Sequence, residues 1–448
     1  MIQRLYFSKA NKQPSRRRFL RHCLLGSAAT ALAATRASAF APAFAPQHEP
    51  AGAPLKIEAL ELIELHGRYT DAAGVNAQQQ VNPLDVYDDL RPAPYQDKPS
   101  GSKEFHTSAV YLRITAGGVE GLYGPIEKSA AIVVQQDLRP FLLGKDALAG
   151  DALWDEMYRS NRHSRDGYFM MAISAVDNTL WDIRGRYYGV PVYRLLGGPT
   201  RSSAEMYASC LGFSLEPEAV RTRALALKRE GFRYQKWFMG YGPGSGPEGM
   251  RKNVQLVHIL RETLGDDTEI MFDAYSGWDQ DYMLEWAHQV EQYRPYWIEE
   301  ATHPEKIESF AAMRRSTTIP IASGEHFYGR WEVERYLQTG ALSVEQADPE
   351  WCGGTSELIR IGTVASLHDV PVLPHGHSLR AAIHIISSQS PMTFPIGEYL
   401  VNKMRHYYHF ESNPLTVEKA HIALPTGPGF NVILDPAKIE SQTLLKPS

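Results

Sequence analysis

Apolar and polar positions in this chain follow two different periods. Leu55 to Leu65 alternates loosely enough to predict a first strand, and Ser108 to Ile114 alternates into a Gly117-Gly118 turn. Residues 70–105 between them are polar and carry many Pro and Gly, which predicts a long excursion over the surface. From Tyr168 to Tyr188 the spacing becomes helical, with Ile173, Val176, Leu180 and Ile183 on one stripe. Gly189 and Pro191 supply its stop. From about Met206 short apolar runs alternate with helical segments. The predicted strands are Phe232–Phe238, Ile270–Phe272, Tyr296–Ile298, Ile319–Ala322, Val344–Gln346 and Val370–Leu373. Such alternation calls for a parallel sheet with helices outside it, an α/β class.

Six acid and base residues follow these runs: Asp273, Glu299, Glu325, Asp348, His375 and Glu398, at steps of 26, 26, 23, 27 and 23. A strand, a loop, a helix and a return loop need about that many residues. In a barrel of parallel strands every strand ends at the same rim, so one residue per unit converges on one site. A single acid after a strand more often caps the next helix; the equal steps are what give these six weight. Asp273, Glu299 and Glu325 form an all-oxygen set suited to Mg²⁺ or Mn²⁺. Glu300 is expected to stand behind Glu299, because neighbouring side chains on a strand point apart. Asp348 and His375 come from consecutive units. A carboxylate on one imidazole nitrogen would fix the tautomer and raise the basicity of the other. His377 is an unassigned neighbour. Lys236 ends its strand and is either a surface lysine or a cation near a substrate anion. The Gly-rich stretch Gly240 to Gly246 lacks the Gly-Lys-Ser/Thr ending of a phosphate loop and reads as a structural insertion.

Composition changes the picture at one end only. The chain has 448 residues, 43% hydrophobic and 22% charged, enough for a large core and two domains. Residues 1–39 differ: Ser15-Arg16-Arg17-Arg18-Phe19-Leu20-Arg21 precedes the small apolar run Leu24 to Ala34 and then Ala37-Ser38-Ala39. This predicts a twin-arginine signal peptide and a periplasmic protein. The alternative, an anchor helix, has an apolar run short for a membrane span. Residues 40–54 read as a linker. Without residues 1–39, which hold eight of the 46 Lys and Arg and no acids, 38 basic residues face 51 acidic ones, a net of −13. That balance argues against nucleic acid or an anionic membrane as partner. Cys210 and Cys352, 142 residues apart, form neither a disulfide framework nor a zinc site.

Lys236, Met271-Phe-Asp-Ala-Tyr275, Trp297-Ile-Glu-Glu300, Ser323-Gly-Glu-His326, Gln346-Ala-Asp-Pro-Glu-Trp-Cys-Gly-Gly354 and Pro374-His-Gly376 resemble the enolase superfamily in its mandelate-racemase-like branch. Ala175-Val-Asp-Asn-Thr-Leu-Trp-Asp182 and Leu195-Leu-Gly-Gly198 are similar to that branch's bridge between domains. Trp351-Cys-Gly-Gly354, Gly324-Glu-His326 and Gly429-Phe-Asn-Val-Ile-Leu-Asp435 resemble its L-rhamnonate dehydratases. The resemblance implies a modified TIM barrel, (β/α)7β, over residues 201–405, an α+β capping domain over 55–200, and a C-terminal segment, 406–448, returning to the cap. It implies Asp273, Glu299 and Glu325 as ligands of one Mg²⁺ and Asp348–His375 as the acid–base dyad. Lys236 and Glu398 would hold the intermediate, with Glu300 and His326 behind the ligands. A small acid sugar is the implied partner, and a homo-oligomer the implied assembly.

Two departures shape the expectation. Racemases of this branch carry Lys-x-Lys on the second strand, whereas this chain has Lys236-Trp237-Phe238. A proton moved across a face needs two bases, and only His375 is visible, so dehydration is favoured over racemisation. The dehydratases carry a His pair in the first capping loop, whereas this chain has the isolated His66 and Gln78-Gln79-Gln80. His66, Arg68, Tyr69, His106 and His377 are the candidates for substrate contact. An epimerase, a cycloisomerase and a non-catalytic exported sugar-acid binder are the rival readings.

Overall fold

The computed structural model describes residues 52–71, 78–92, 103–163 and 165–445. The expected signal peptide and nearly all of the expected linker lie outside these residues. In chain order the strands are β1 (Ile57–Thr70), β2 (Glu104–Ala116), β3 (Val119–Ile126), β4 (Ser203–Ser209), β5 (Tyr234–Phe238), β6 (Glu269–Asp273), β7 (Trp297–Glu299), β8 (Ile321–Ser323), β9 (Val344–Glu345), β10 (Gly397–Leu400), β11 (His421–Ala423) and β12 (Ser441–Leu444). They form two sheets. One is antiparallel, in the order β12-β1-β2-β3; the other is parallel, β10-β4-β5-β6-β7-β8-β9, with β11 antiparallel against the start of β4. The predicted strand Val370–Leu373 survives only as a bridge from Val372 to Glu345. β10 pairs with β4, so the last barrel strand lies beside the first.

The alternating period explains the barrel interior. Met271 and Asp273 lie two apart on β6, as do Trp297 and Glu299 on β7, so each pair shares a face. Tyr207, Met271, Trp297, Ala322 and Leu373 pack together inside the barrel, and a much larger apolar layer joins the strands to the outer helices. The inward acids therefore sit one step above an apolar plug.

The predicted helix forms as Gly167–Tyr188 and ends at Gly189, whose φ of 69° only glycine adopts without strain. Ile173, Val176, Leu180 and Ile183 are fully buried in the capping core against β1 to β3. The polar side of the same helix faces the barrel. Asp177 accepts from Ser356 N and Oγ at 2.9 and 2.7 Å, and Asn178 accepts from Thr355 N at 2.9 Å. The Gly-rich insertion turns at Pro243–Ser245 into the helix Gly246–Leu264. Part of the long excursion lies just before it: Val81 N donates to Met239 O at 2.7 Å. Among the described residues no helix is long and apolar enough to cross a membrane.

Candidate functional site

Strand register delivers the acids side by side. Phe238 pairs with Asp273 across β5 and β6, and Asp273 with Glu299 across β6 and β7. Glu325 follows β8 after Gly324, where φ is 138° and an added Cβ would lie 2.7 Å from Gln346 N. Only glycine lets the chain turn there and bring Glu325 over the rim. Asp348 lies three residues beyond β9. Glu398 sits inside β10 and Lys236 in the middle of β5, not at their strand ends as the sequence reading had it. Trp237 and Phe238 carry β5 past Lys236, and Tyr399 and Leu400 carry β10 past Glu398.

Lys236 is buried, not on the surface, at 1% exposure. Its Nζ lies 3.1 Å from Asp273, 2.6 Å from Glu299 and 2.8 Å from Glu398. Burial alone would lower its pKa; the carboxylates of Glu299 and Glu398 outweigh that and hold it well above the usual lysine value. The second oxygen of Glu299 accepts from Trp297 Nε1 at 3.0 Å and Gln346 Nε2 at 2.8 Å. Burial pushes Asp273, Glu299 and Glu325 above the usual carboxylate range. Burial acts on Glu398 too, but Lys236 and then His375 outweigh it and hold that carboxyl low.

The dyad is formed. His375 Nδ1 lies 2.7 Å from Asp348 Oδ2, and Nε2 faces Glu325 at 3.4 Å and Glu398 at 3.8 Å. Asp348 is itself held by Glu350 N at 2.6 Å and His377 N at 3.2 Å. Burial would lower His375; Glu325, Asp348 and Glu398 together raise it to about 10. The Trp351 ring, 4.8 Å from the imidazole, shields one side.

Glu300 departs from its expected place behind Glu299. Its backbone has a positive φ of 43°, and its carboxylate turns to His326 Nδ1 at 2.7 Å. Glu300, Glu325 and His326 bring ligand atoms within 4.8 Å of one another. In the same arrangement Lys236 takes up Asp273 and Glu299. Six buried carboxylates, Asp273, Glu299, Glu300, Glu325, Asp348 and Glu398, thus share Lys236, His375 and His326. This surplus of hard oxygen donors fits a divalent cation such as Mg²⁺. A set that includes an imidazole suits Mg²⁺ less well than the all-oxygen set Asp273, Glu299 and Glu325.

The remaining candidates lie elsewhere. His66 pairs with Glu64, and Arg68 with Glu104 and Glu440. Tyr69 packs on His406 and Phe105, and His106 is exposed beside Arg68 on the β1–β2 ladder. Among the described residues none of these four contacts the acids or the dyad. His377 has both ring nitrogens engaged, by Glu350 at 3.1 Å and Glu127 at 3.0 Å, which ties cap to barrel. Gln346, Trp351 and Trp297 lie inside motifs quoted above but were given no role from the sequence. Trp297 was within reach of it, being two residues before Glu299 on one strand; Trp351 was not, because ring stacking leaves no periodicity.

Residues 219–438 match the enolase C-terminal domain-like family, and residues 92–197 the mandelate racemase/muconate lactonizing enzyme N-terminal domain. L-Rhamnonate dehydratase of Saccharopolyspora erythraea is 31% identical over 345 residues, 74% of this chain and 82% of that protein. D-Galactarolactone cycloisomerase of Agrobacterium fabrum is 29% identical over 323 residues, 69% of this chain and 83% of that one. The crystal structure of rhamnonate dehydratase from Gibberella zeae complexed with Mg superposes with a TM-score of 0.73 at 26% identity, covering 86% of this chain and 95% of that one. With both domains matched and a relative of this identity aligned over most of its length, the chain belongs to the enolase superfamily, in its mandelate racemase/muconate lactonizing enzyme branch.

Proposed function

We propose that the protein is a hydro-lyase that dehydrates a sugar acid of the aldonate class, rhamnonate-like, to a 2-keto-3-deoxy acid. One observation carries this reading: the mouth holds the imidazole of His375, while the position on β5 that would carry a second base holds the ring of Phe238. Phe238 shares the inward face of β5 with Lys236, whose Nζ lies 5.3 Å from its ring. A racemase would need a base at that position. The relatives named as rhamnonate dehydratases support the same substrate class.

Asp273, Glu299 and Glu325 would hold one Mg²⁺ or Mn²⁺. When bound, the ion supplies a Lewis acid toward the substrate carboxylate and cancels carboxylate charge that holds His375 protonated. Nε2 of neutral His375 then takes the α-proton, and the C–H electron pair moves into the enediolate. Asp348 keeps the Nδ1 proton in place and stabilises the imidazolium. Lys236 sets a fixed positive charge beside the developing negative one. His375 returns its proton to the 3-hydroxyl as the C3–O bond breaks, so water leaves, and the enol tautomerises, carbon 3 taking a proton from solvent as the 2-hydroxyl releases one. One group thus serves both halves, which requires the α-hydrogen and the hydroxyl to depart from one face. The twin-arginine pattern in residues 16–39 supports export of the folded protein to the periplasm.

Cycloisomerisation, which the Agrobacterium relative's name supports, begins with the same proton abstraction but gives a product of unchanged composition. A library of acid sugars assayed with Mg²⁺ for 2-keto-3-deoxy acid separates the two. His375→Asn is expected to lower kcat by roughly 10²–10⁴-fold while Mg²⁺ binding by calorimetry persists. Dehydration retained in that variant would remove the assignment.

A further inference from the structure

A cavity of about 740 Å³ opens from Glu300 and His326. Its inner end adjoins the candidate site, because His326 also lies 3.7 Å from Glu325. From there it runs outward between the barrel loops and the cap, past Tyr275 and Tyr328, to Tyr158 on the helix Gly150–Ser160 and Trp331 on the helix Arg330–Gln338. Pockets of roughly 300–1,000 Å³ enclose drug-sized ligands. A six-carbon acid is much smaller than such a ligand, so with its carboxylate at the inner end it would leave the outer part unfilled.

The outer wall states what would fill it. Trp331 stacks on Tyr158, with ring centroids 4.7 Å apart and planes 19° apart, yet keeps 47% of its surface exposed. Arg165 and Arg335 bring guanidinium donors, whereas Asp166, Glu305 and Glu332 bring carboxylate acceptors. Acids outnumber the arginines there, so a second carboxylate would be repelled. An apolar group would strand the charged wall without partners. An uncharged ring bearing several hydroxyls both donates and accepts hydrogen bonds, and its C–H face packs on aromatic rings.

We propose that the acid substrate carries a glycosyl ring on its distal carbons and that this outer cavity binds it. Carbons 2 and 3 undergo the reaction, so the ring is attached at carbon 4 or beyond. The inference rests on the dehydratase reading for the placement of the acid, but the binding of the ring can be measured separately.

The experiment uses glycosyl hexonates, made by oxidising reducing disaccharides of gluco, manno and galacto acids, each beside its parent hexonate, with Mg²⁺ present. Calorimetry gives Kd and a 2-keto acid assay gives kcat/KM. At least one glycosyl hexonate is expected to exceed its parent by about tenfold in both, the scale of one good ring contact. Trp331→Ala should erase that difference. Arg335→Ala, at an exposed site one helical turn beyond Trp331, should reduce it as well, so a misfolded Trp331 variant does not decide the matter. Parents and glycosyl acids bound and turned over equally would overturn the inference and leave the dehydratase reading intact. A glycosyl-dependent gain in affinity with no turnover of any acid would support the cavity's role and overturn the dehydratase reading.

Discussion

The barrel mouth and the joints that hold the barrel to the rest of the chain both bury carboxylates, in opposite ways. At the joints each acid oxygen has a donor built for it. Asp182 accepts from Phe430 N at 2.6 Å, Leu122 N at 2.9 Å and Arg186 Nε at 2.6 Å. Glu411 is paired with the buried Arg380, which also donates to Asn413 O at 2.8 Å. At the mouth six carboxylates share one lysine and two histidines. A matched buried charge secures geometry; an unmatched one costs stability and marks a place where a cation and an anionic substrate are meant to complete the set.

The contrast can be broken by experiment, starting where the effect is greatest. Arg380→Met strands Glu411 in the core and is expected to cost about 3–5 kcal/mol in urea unfolding. A cost below about 1 kcal/mol would mean that this joint is no more matched than the mouth. His384, beside Arg380, sharpens the same point through pH. It accepts from Tyr193 N at 3.0 Å, and burial, then Arg380, lower its pKa from 6.5 to about 3. Below pH 6.5 the unfolded chain takes a proton that the folded chain refuses, so stability is lost as pH falls toward 3. About 2 kcal/mol should disappear between roughly pH 6.5 and 5, and His384→Gln should flatten that slope. The smallest expected effect has the opposite sign. Glu325→Gln removes one like charge from the mouth and should raise the stability of the metal-free protein by about 1 kcal/mol while weakening Mg²⁺ binding. A variant less stable than the parent without metal would show that Glu325 is already matched.

The same distinction governs what was legible in the sequence. Asp273, Glu299, Glu325, Asp348, His375 and Glu398 could be gathered on paper because a barrel unit has a nearly constant length, and their convergence needs only that constancy. The helix Gly167–Tyr188 was legible for its 3.6 period and its Gly189 stop. Glu300 was not: period-2 reasoning turns it away from the site, whereas a positive φ at that one residue swings it to His326. The strand at Val372 was overread, since an apolar run does not reveal how few ladder bonds it will make. His66, Arg68, Tyr69 and His106 were chosen for their chemistry in a segment without pattern, and the β1–β2 ladder gives them local partners instead. Lys236 lay between two readings because burial depends on neighbours 37 to 162 positions away.

The capping sheet is assembled from both ends of the chain. β12, at residues 441–444, completes it against Ile63 to His66 of β1, and β11 lies on the first barrel strand. During synthesis β1 must therefore wait for nearly four hundred residues before its last neighbour exists. Contacts of such separation are slow to form, so the cap is the final part of the molecule to close. Quality control follows from this arrangement: a chain cut short by a few residues at its end keeps every side chain of the candidate site, yet its capping sheet is left with an open edge.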